Sequence, residues 1–496
     1  MKKFRFSISN SIQLIFLLIS VFIILYLAIK ISPLLALLFA IIPIALSFSL
    51  FFLSSPYSLL IVLFIANYYI MGLVRYIPFL KGGITLDILI ILAIASLMIK
   101  SLSPIKINTW ERVNNPLVYI ILIWVIYSFM QLFNPESNFP QAWFTGVRGI
   151  SLYLLIIVII TKLIVTDYKK MKYIIFIWSI LTLTAIIKAY IQKTYGFDWA
   201  ENKWLFVGGG KSTHLISSGT RYFSFFNDAA TFGCSMALSF VVFIITAMGK
   251  TSIKYRIYYI SVALLSFYAM LLSGTRVALV IPFIGLASYL ILSKKIKIAI
   301  YLSLLLTVAF VFFKFTYIGE NNSNIRRART AFNPNQDASF IVRKKNQAKM
   351  KTYMVDKPFG IGIGLSAGRA EKYGYYSKLS AIPTDSWLVL VWIETGIIGL
   401  VLYIGLLLFI LAYCAYILTF KLKNNELRHY MMGIFGGIAG MIASSYANEA
   451  FNQFPNGFIV YMGIALICVS PYYDKELEEN KPNTKKLVEN KRELGI

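Results

Sequence analysis

Arg276 stands in the stretch "YAMLLSGTRVALVIPFIGL", between two long apolar runs. Bringing an arginine to the middle of a bilayer costs about 2.5–3.5 kcal/mol on insertion scales, so such a residue has a partner or lies at a membrane boundary. Two readings follow: a helix-end arginine that snorkels to the interface, or a cation kept at the membrane surface for an anion. Residues of matching chemistry lie elsewhere in the chain. Arg221 opens "RYFSFFNDAATFG", and Arg343, followed by Lys344 and Lys345, leads the polar helical stretch "FIVRKKNQAKMKTYMV", which runs directly into "DKPFGIGIG". The glycines at Gly360, Gly362 and Gly364 let backbone amides approach a ligand, but they are also ordinary turn residues. Asp385, in "IPTDSWLVLVWIETG", is a carboxylate at the entry to an apolar run. It either takes a proton in catalysis or caps a helix beginning near Ser386, with Glu394 a poorer substitute further inward.

Weaker signals accompany these. "LFVGGGKSTHL" offers Gly210, Lys211 and Ser212 as a phosphate loop, but that pattern needs a glycine where Leu205 stands and a preceding strand. Lys211 is therefore expected on a loop, at most as an auxiliary anion contact. Asp87 and Lys188 are ionisable residues near span ends, read as snorkelling or locally paired. Cys234, Cys414 and Cys468 are far apart in apolar segments, and only His214 and His429 accompany them. Neither a zinc site nor a disulfide framework is implied.

The rest of the chain says what must position these residues. It is 58% hydrophobic, more than one soluble core can bury, so the expected fold is an all-α, polytopic membrane protein of about 12–14 transmembrane helices. The start "MKKFRF" precedes an apolar run with no cleavage site, as in an uncleaved first span with a cytoplasmic N-terminus. Spans are expected near 11–31, 34–53, 57–74, 84–99, 116–133, 149–165, 172–191, 229–247, 257–274, 277–292, 296–315, 396–419, 430–447 and 455–471. That register places Lys100, Lys106 and Arg112; Lys162, Lys169, Lys170 and Lys172; Lys250, Lys254 and Arg256; Lys294, Lys295 and Lys297; and Lys421, Lys423 and Arg428 inside. This is the positive-inside pattern, loop after loop.

The organisation expected is N-terminal spans over 1–191, an external loop over 192–228, central spans over 229–315, a large basic helical loop over 316–395, C-terminal spans over 396–471 and a cytoplasmic tail over 472–496. Arg276 then sits in a tight turn at the external face. The loop over 316–395 carries a strong basic excess, which suits either anionic lipid or an anionic substrate.

Four signatures occur in order: "SGTRYFSFFNDAATFG", "LLSGTRVALV", "RKKNQAKMKTYMVDKPFGIGIG" and "IPTDSWLVLVWIETGIIGLVLYIGLLL". Together they resemble the O-antigen ligase and polymerase superfamily of bacterial envelope glycosyltransferases, closely over roughly 219–420 and only in hydrophobic layout before that. The resemblance implies sugar transfer at the periplasmic face of the inner membrane. The donor would be a glycan on a polyprenyl diphosphate, and the other partners a glycan acceptor, membrane lipid and a chain-length regulator. Neither nucleic acid, a cofactor nor a metal is implied. Arg221 and Arg276 would act catalytically on the diphosphate with Asp385 as the base, while Arg343, Lys344, Lys211, Gly360 and Gly362 would bind substrate. Arginine suits a departing diphosphate because its fork binds phosphate in two-pronged fashion and stays charged.

One departure bears on the activity. Ligases of the superfamily commonly present histidine-asparagine where this chain has Thr384 and Asp385. The reading therefore favours a polymerase of lipid-linked repeats over a ligase or an O-linked protein oligosaccharyltransferase. A polysaccharide transporter or a non-catalytic assembly subunit is the rival of another class. A transporter is expected to show repeats or broken spans, and here the charges gather in the external loops.

Overall fold

The computed structural model describes Ile19 and residues 55–480, apart from 78, 102–109, 138, 217–218, 294–295, 322, 331, 333–337 and 370. The spans expected at 11–31 and 34–53 and the tail beyond 480 lie outside the described residues, Ile19 excepted. The chain divides into two units, one of 1–62 with 87–107 and the other of 63–86 with 108–496. Apart from Asp87 and the parts of α1 and α2 within 56–62 and 87–101, the residues discussed below belong to the second.

Ten helices among the described residues are long and apolar enough to cross a membrane, as an all-α polytopic protein requires. They are α1 (Pro56–Tyr76), α2 (Gly82–Ser101), α3 (Pro116–Phe133), α4 (Pro140–Ile164), α5 (Tyr168–Tyr195), α8 (Ala229–Met248), α9 (Ile253–Leu272), α10 (Arg276–Ser293), α14 (Trp387–Phe420) and α16 (Asn456–Glu479). Two more expected spans also form helices, α11 (Ile296–Phe315) and α15 (Asn425–Ser444). Between them lie the short α6 (Trp199–Phe206), α7 (Lys211–His214) and α12 (Ser323–Thr330), and the longer α13 (Ala338–Tyr353). Two-residue strands, Leu215–Ile216 and Gly219–Thr220, pair antiparallel.

Local chemistry sets many of the helix starts. Pro116 and Pro140 occupy first-turn positions where a missing N–H is harmless. Side-chain caps at Asn115, Asp167, Asp228, Ser386 and Asn424 accept backbone N–H groups of the first turns of α3, α5, α8, α14 and α15. Two starts differ most from expectation: α4 begins at Pro140 rather than 149, and α14 at Trp387 rather than 396. Hydropathy finds the apolar run, whereas the cap and the proline decide where the helix begins.

Packing around α15 is tight. A Cβ on Gly436 or Gly440 would stand 2.6 Å from the carbonyl oxygens of Gly285 and Ile281, so the absence of side chains lets α15 and α10 close on each other. α8 packs against both α9 and α15. The polar segment after α12 has its own core, in which Met350 of α13 and the following Met354 join Ile361, Leu365, Leu379, Ile382, Val389 and Ile393. A smaller core of Leu205, Phe223 and Ala229 underlies the connection before α8.

Helix direction brings these segments to one end. The C-terminus of α9, the N-termini of α8, α10, α14 and α16 and the C-terminus of α15 all adjoin them. The lysine-bearing links after α8 and α14 adjoin the opposite helix ends.

Candidate functional site

At that end lies a cleft of about 980 Å³. It is lined by Arg221, Arg276, Arg327 and Arg343, by Asp228, Glu371, Asp385 and Glu449, and by Thr213, His214, Thr384, Asn448 and Gln453, among others. The sequence candidates Arg221, Arg276, Arg343 and Asp385 thus meet in one cavity although they come from four separate segments.

The arginines are organised around the turn between α9 and α10. Gly274 there has φ +58°, and a Cβ on it would lie 3.2 Å from Cδ of Arg327 and 3.4 Å from Cγ of Arg221. Glycine satisfies both the left-handed backbone and the close approach of the two side-chain stems. Arg221 donates through Nη1 to the Thr213 carbonyl at 3.0 Å, through Nη2 to Thr275 Oγ1 at 3.1 Å and through Nε to the Ser273 carbonyl at 3.3 Å. Each of these acceptors is neutral. Burial lowers the proton affinity of Arg221; Asp228 opposes that shift and Arg276 adds to it. Arg276 opens a 3₁₀ turn that leads into α10. Arg343, on α13, donates to the Ala447 carbonyl at 3.0 Å and thereby ties the polar segment to the link between α15 and α16.

Two unit charges about 4 Å apart repel by roughly 1 kcal/mol in water and roughly 4 kcal/mol near a protein surface. A group of guanidinium ions around one turn is therefore suited to an anion that relieves the repulsion. Such a contact is worth about 3–4 kcal/mol where water is excluded and charge develops.

The remaining sequence candidates lie elsewhere. Gly360 and Gly362 do not line the cleft. Helix α14 breaks at Gly396 (φ +73°), and the carbonyls of Ile393 and Glu394 accept from the N–H groups of Ile361 at 2.9 Å and Gly362 at 3.0 Å. The glycine turn gives these backbone donors to the kinked helix. A Cβ on Gly360 would stand 2.5 Å from the Gly396 nitrogen, so glycine is needed there for packing. Glu394, 1% exposed, accepts from Ser366 Oγ at 2.7 Å and pairs with Arg369, pinning the same turn.

Lys211 is exposed and lies over the Phe206 ring, outside the cleft lining. Lys344 borders a separate 200 Å³ pocket with Phe340, Arg343, Gln347 and Tyr446. Lys188 pairs with Asp198 and Glu201, each at 2.8 Å, in agreement with local pairing. Asp87 lies in the first unit.

Asp385 is exposed, lines the cleft and has φ +50°. The cap of α14 is Ser386, whose hydroxyl accepts from the Val389 N–H at 3.3 Å, so the capping alternative passes from Asp385 to its neighbour. His214 is committed to structure: Nδ1 faces the Gly210 carbonyl at 2.9 Å and Nε2 accepts the Ala229 N–H at 3.1 Å. Burial lowers its pKa to about 4, which keeps the ring neutral.

Sequence reading missed Arg327, Glu449 and Arg75 as parts of this structure. Arg327 was one of many basic residues in its loop, and Glu449 lies in a short link with no motif. Arg75, on α1, stacks 4.5 Å over Trp204 and over Phe223, and its guanidinium donates to the carbonyls of Ser224, Phe226 and Asn227, fixing the approach to α8. Among the described residues no group of three His, Cys, Asp or Glu side chains has the disposition of a metal site.

Among curated proteins none matches the chain. A family model described as O-Antigen ligase matches residues 261–404, which contain Arg276, Arg327, Arg343, Asp385 and the glycine turn. Across the segment that frames the arginine cleft, this multi-pass membrane chain is similar to the O-antigen ligase superfamily.

Proposed function

We propose that the chain is a glycosyltransferase of the bacterial inner membrane that moves a glycan from a polyprenyl diphosphate to an acceptor sugar at the periplasmic face, polymerising the repeat units of a surface polysaccharide. The convergence of Arg221, Arg276, Arg327 and Arg343 on one cleft at the ends of the spans carries this reading. Diphosphate is the leaving group, and fixed guanidinium ions meet its growing charge without a metal ion. Arg276 also borders a shallow, largely apolar notch with Met270, Leu271, Leu279 and Ala328, beside the cleft and between α9 and α10. The proton acceptor is a cleft carboxylate, with Asp385 the candidate from sequence.

A ligase or O-linked protein oligosaccharyltransferase would use the same donor. Polymerisation is preferred because Thr384 and Asp385 replace the histidine-asparagine step. Deleting the gene and analysing the lipid-linked glycans of the host tests this. Accumulation of single lipid-linked repeats is expected; full-length lipid-linked chains would make the protein a ligase, and unchanged glycans would remove the transferase reading.

A further inference from the structure

Glycan transfer needs a base, and four carboxylates line the cleft: Asp228, Glu371, Asp385 and Glu449. Asp228 is occupied as the cap of α8, accepting from the Thr231 N–H at 2.8 Å and the Thr231 hydroxyl at 3.0 Å. Glu371 and Asp385 are exposed to water. His214 has both ring nitrogens engaged. Glu449 differs from all of these: it is half-buried, accepts a hydrogen bond from the Thr384 hydroxyl and is held by a braced turn. The Ala447 carbonyl receives Arg343, the Asn448 carbonyl receives the Trp387 N–H at 3.1 Å, and Asn448 Oδ1 receives the Ala450 N–H at 2.8 Å. A carboxylate fixed this way needs little reorganisation before it takes a proton.

We propose that Glu449 is the general base of the transfer, standing beside the Thr384–Asp385 step where relatives present a histidine. The inference rests on the transferase reading above. The acceptor hydroxyl oxygen bonds to the donor's anomeric carbon while the bond from that carbon to the diphosphate oxygen breaks. The electron pair leaves with the diphosphate toward the arginines, and the hydroxyl proton passes to the Glu449 carboxylate. Thr384 positions the carboxylate, and Asp385 acts on it through charge.

The surroundings suit this role. Burial raises the proton affinity of Glu449; the Thr384 hydrogen bond and Arg369 lower it, Glu394 and Asp385 raise it, and the net shift is upward. The other charged groups lining the cleft are Arg221, Asp228, Arg276, Arg327, Arg343 and Glu371. A base must be ionised to accept a proton, so the rate falls as pH drops through this raised pKa. Replacing Asp385 by asparagine removes a negative neighbour, which lowers the pKa and moves the acid limb to lower pH.

The test uses full-length protein in lipid nanodiscs, with the lipid-linked glycans extracted from the deletion host as probe, and follows release of free polyprenyl diphosphate across pH. Glu449→Gln keeps an acceptor for Thr384, so it is expected to purify as wild type and retain bound donor while turning over at least about a hundredfold slower. Asp385→Asn should lose only several-fold in rate and shift the acid limb downward. Near-normal turnover by Glu449→Gln, or an Asp385→Asn defect as deep as that of Glu449→Gln with an unmoved acid limb, overturns the assignment. A wild-type protein that releases no polyprenyl diphosphate overturns the transferase reading, and the base with it. An active wild type with an active Glu449→Gln sinks the base alone.

Discussion

Arg221 and Arg369 both sit against buried structure near the cleft, yet their surroundings differ in kind. Arg369 meets a carboxylate, Glu394, and the two charges cancel while they hold the glycine turn against the Gly396 kink. Arg221 hydrogen bonds to neutral oxygens, beside Arg276 and Arg327, and Asp228 acts on it through charge alone. Guanidinium groups serve as scaffold where a carboxylate cancels their charge, and under the proposed function those bonded to neutral oxygens serve the anion. The glycines divide in the same way: Gly274 clears space for the arginines, whereas Gly360 and Gly362 lie behind the site.

The deepest test of this division is at Gly396. A Cβ there would stand 1.9 Å from the Pro358 carbonyl oxygen, at a φ that side chains rarely adopt. Gly396→Ala is expected to abolish accumulation of folded protein, whereas Gly405→Ala on the same helix, with nothing within 4 Å, should leave abundance unchanged. Fluorescence-detected size exclusion of tagged protein reads both. Equal abundance of the two would make the turn dispensable.

Arg276 should behave in the opposite manner. Arg276→Ala is expected to leave abundance normal and to lose about 10²–10³ in rate, and Arg276→Lys to lose most of the activity too, because lysine keeps the charge without the two-pronged contact. Polymer length on gels and polyprenyl diphosphate release measure the loss. A lysine variant that polymerises like wild type would reduce the arginine wall to simple positive potential.

The smallest effect is expected at Arg369. Arg369→Gln leaves Glu394 without its cation, costing about 1–3 kcal/mol of stability, while Ser366 still donates to it. Thermal unfolding should shift downward and the rate at high pH should stay close to wild type. Since Arg369 lowers the proton affinity of Glu449, its loss should move the acid limb to higher pH, opposite to Asp385→Asn. A large loss of rate at high pH would place Arg369 in the site rather than behind it.

Much of the architecture was legible along the chain. Apolar run length located the spans from α1 to α16, because a helix that crosses lipid must satisfy its backbone internally and cover itself with apolar side chains, and both demands are local. Capping and proline chemistry refined the starts, as at Ser386 and Pro140. Arg276 stood out along the chain as well, since a cation between apolar runs is costly enough to need a reason. The glycine turn stayed open between two readings because a backbone N–H offered to a ligand and one given to a broken helix look alike in sequence.

What tertiary structure alone decided is which residues share a cavity. Arg221, Arg276, Arg343 and Asp385 are far apart along the chain, and the packing of α8, α10 and α15, with α13 tied on through Arg343, brings them together with Arg327 and Glu449. Their proximity depends on close helix contacts such as Gly436 against Gly285 and on turns braced from other segments. Hydropathy, capping and charge are written in neighbouring residues, whereas a carboxylate's desolvation and the charges that surround an arginine depend on groups that only the fold supplies.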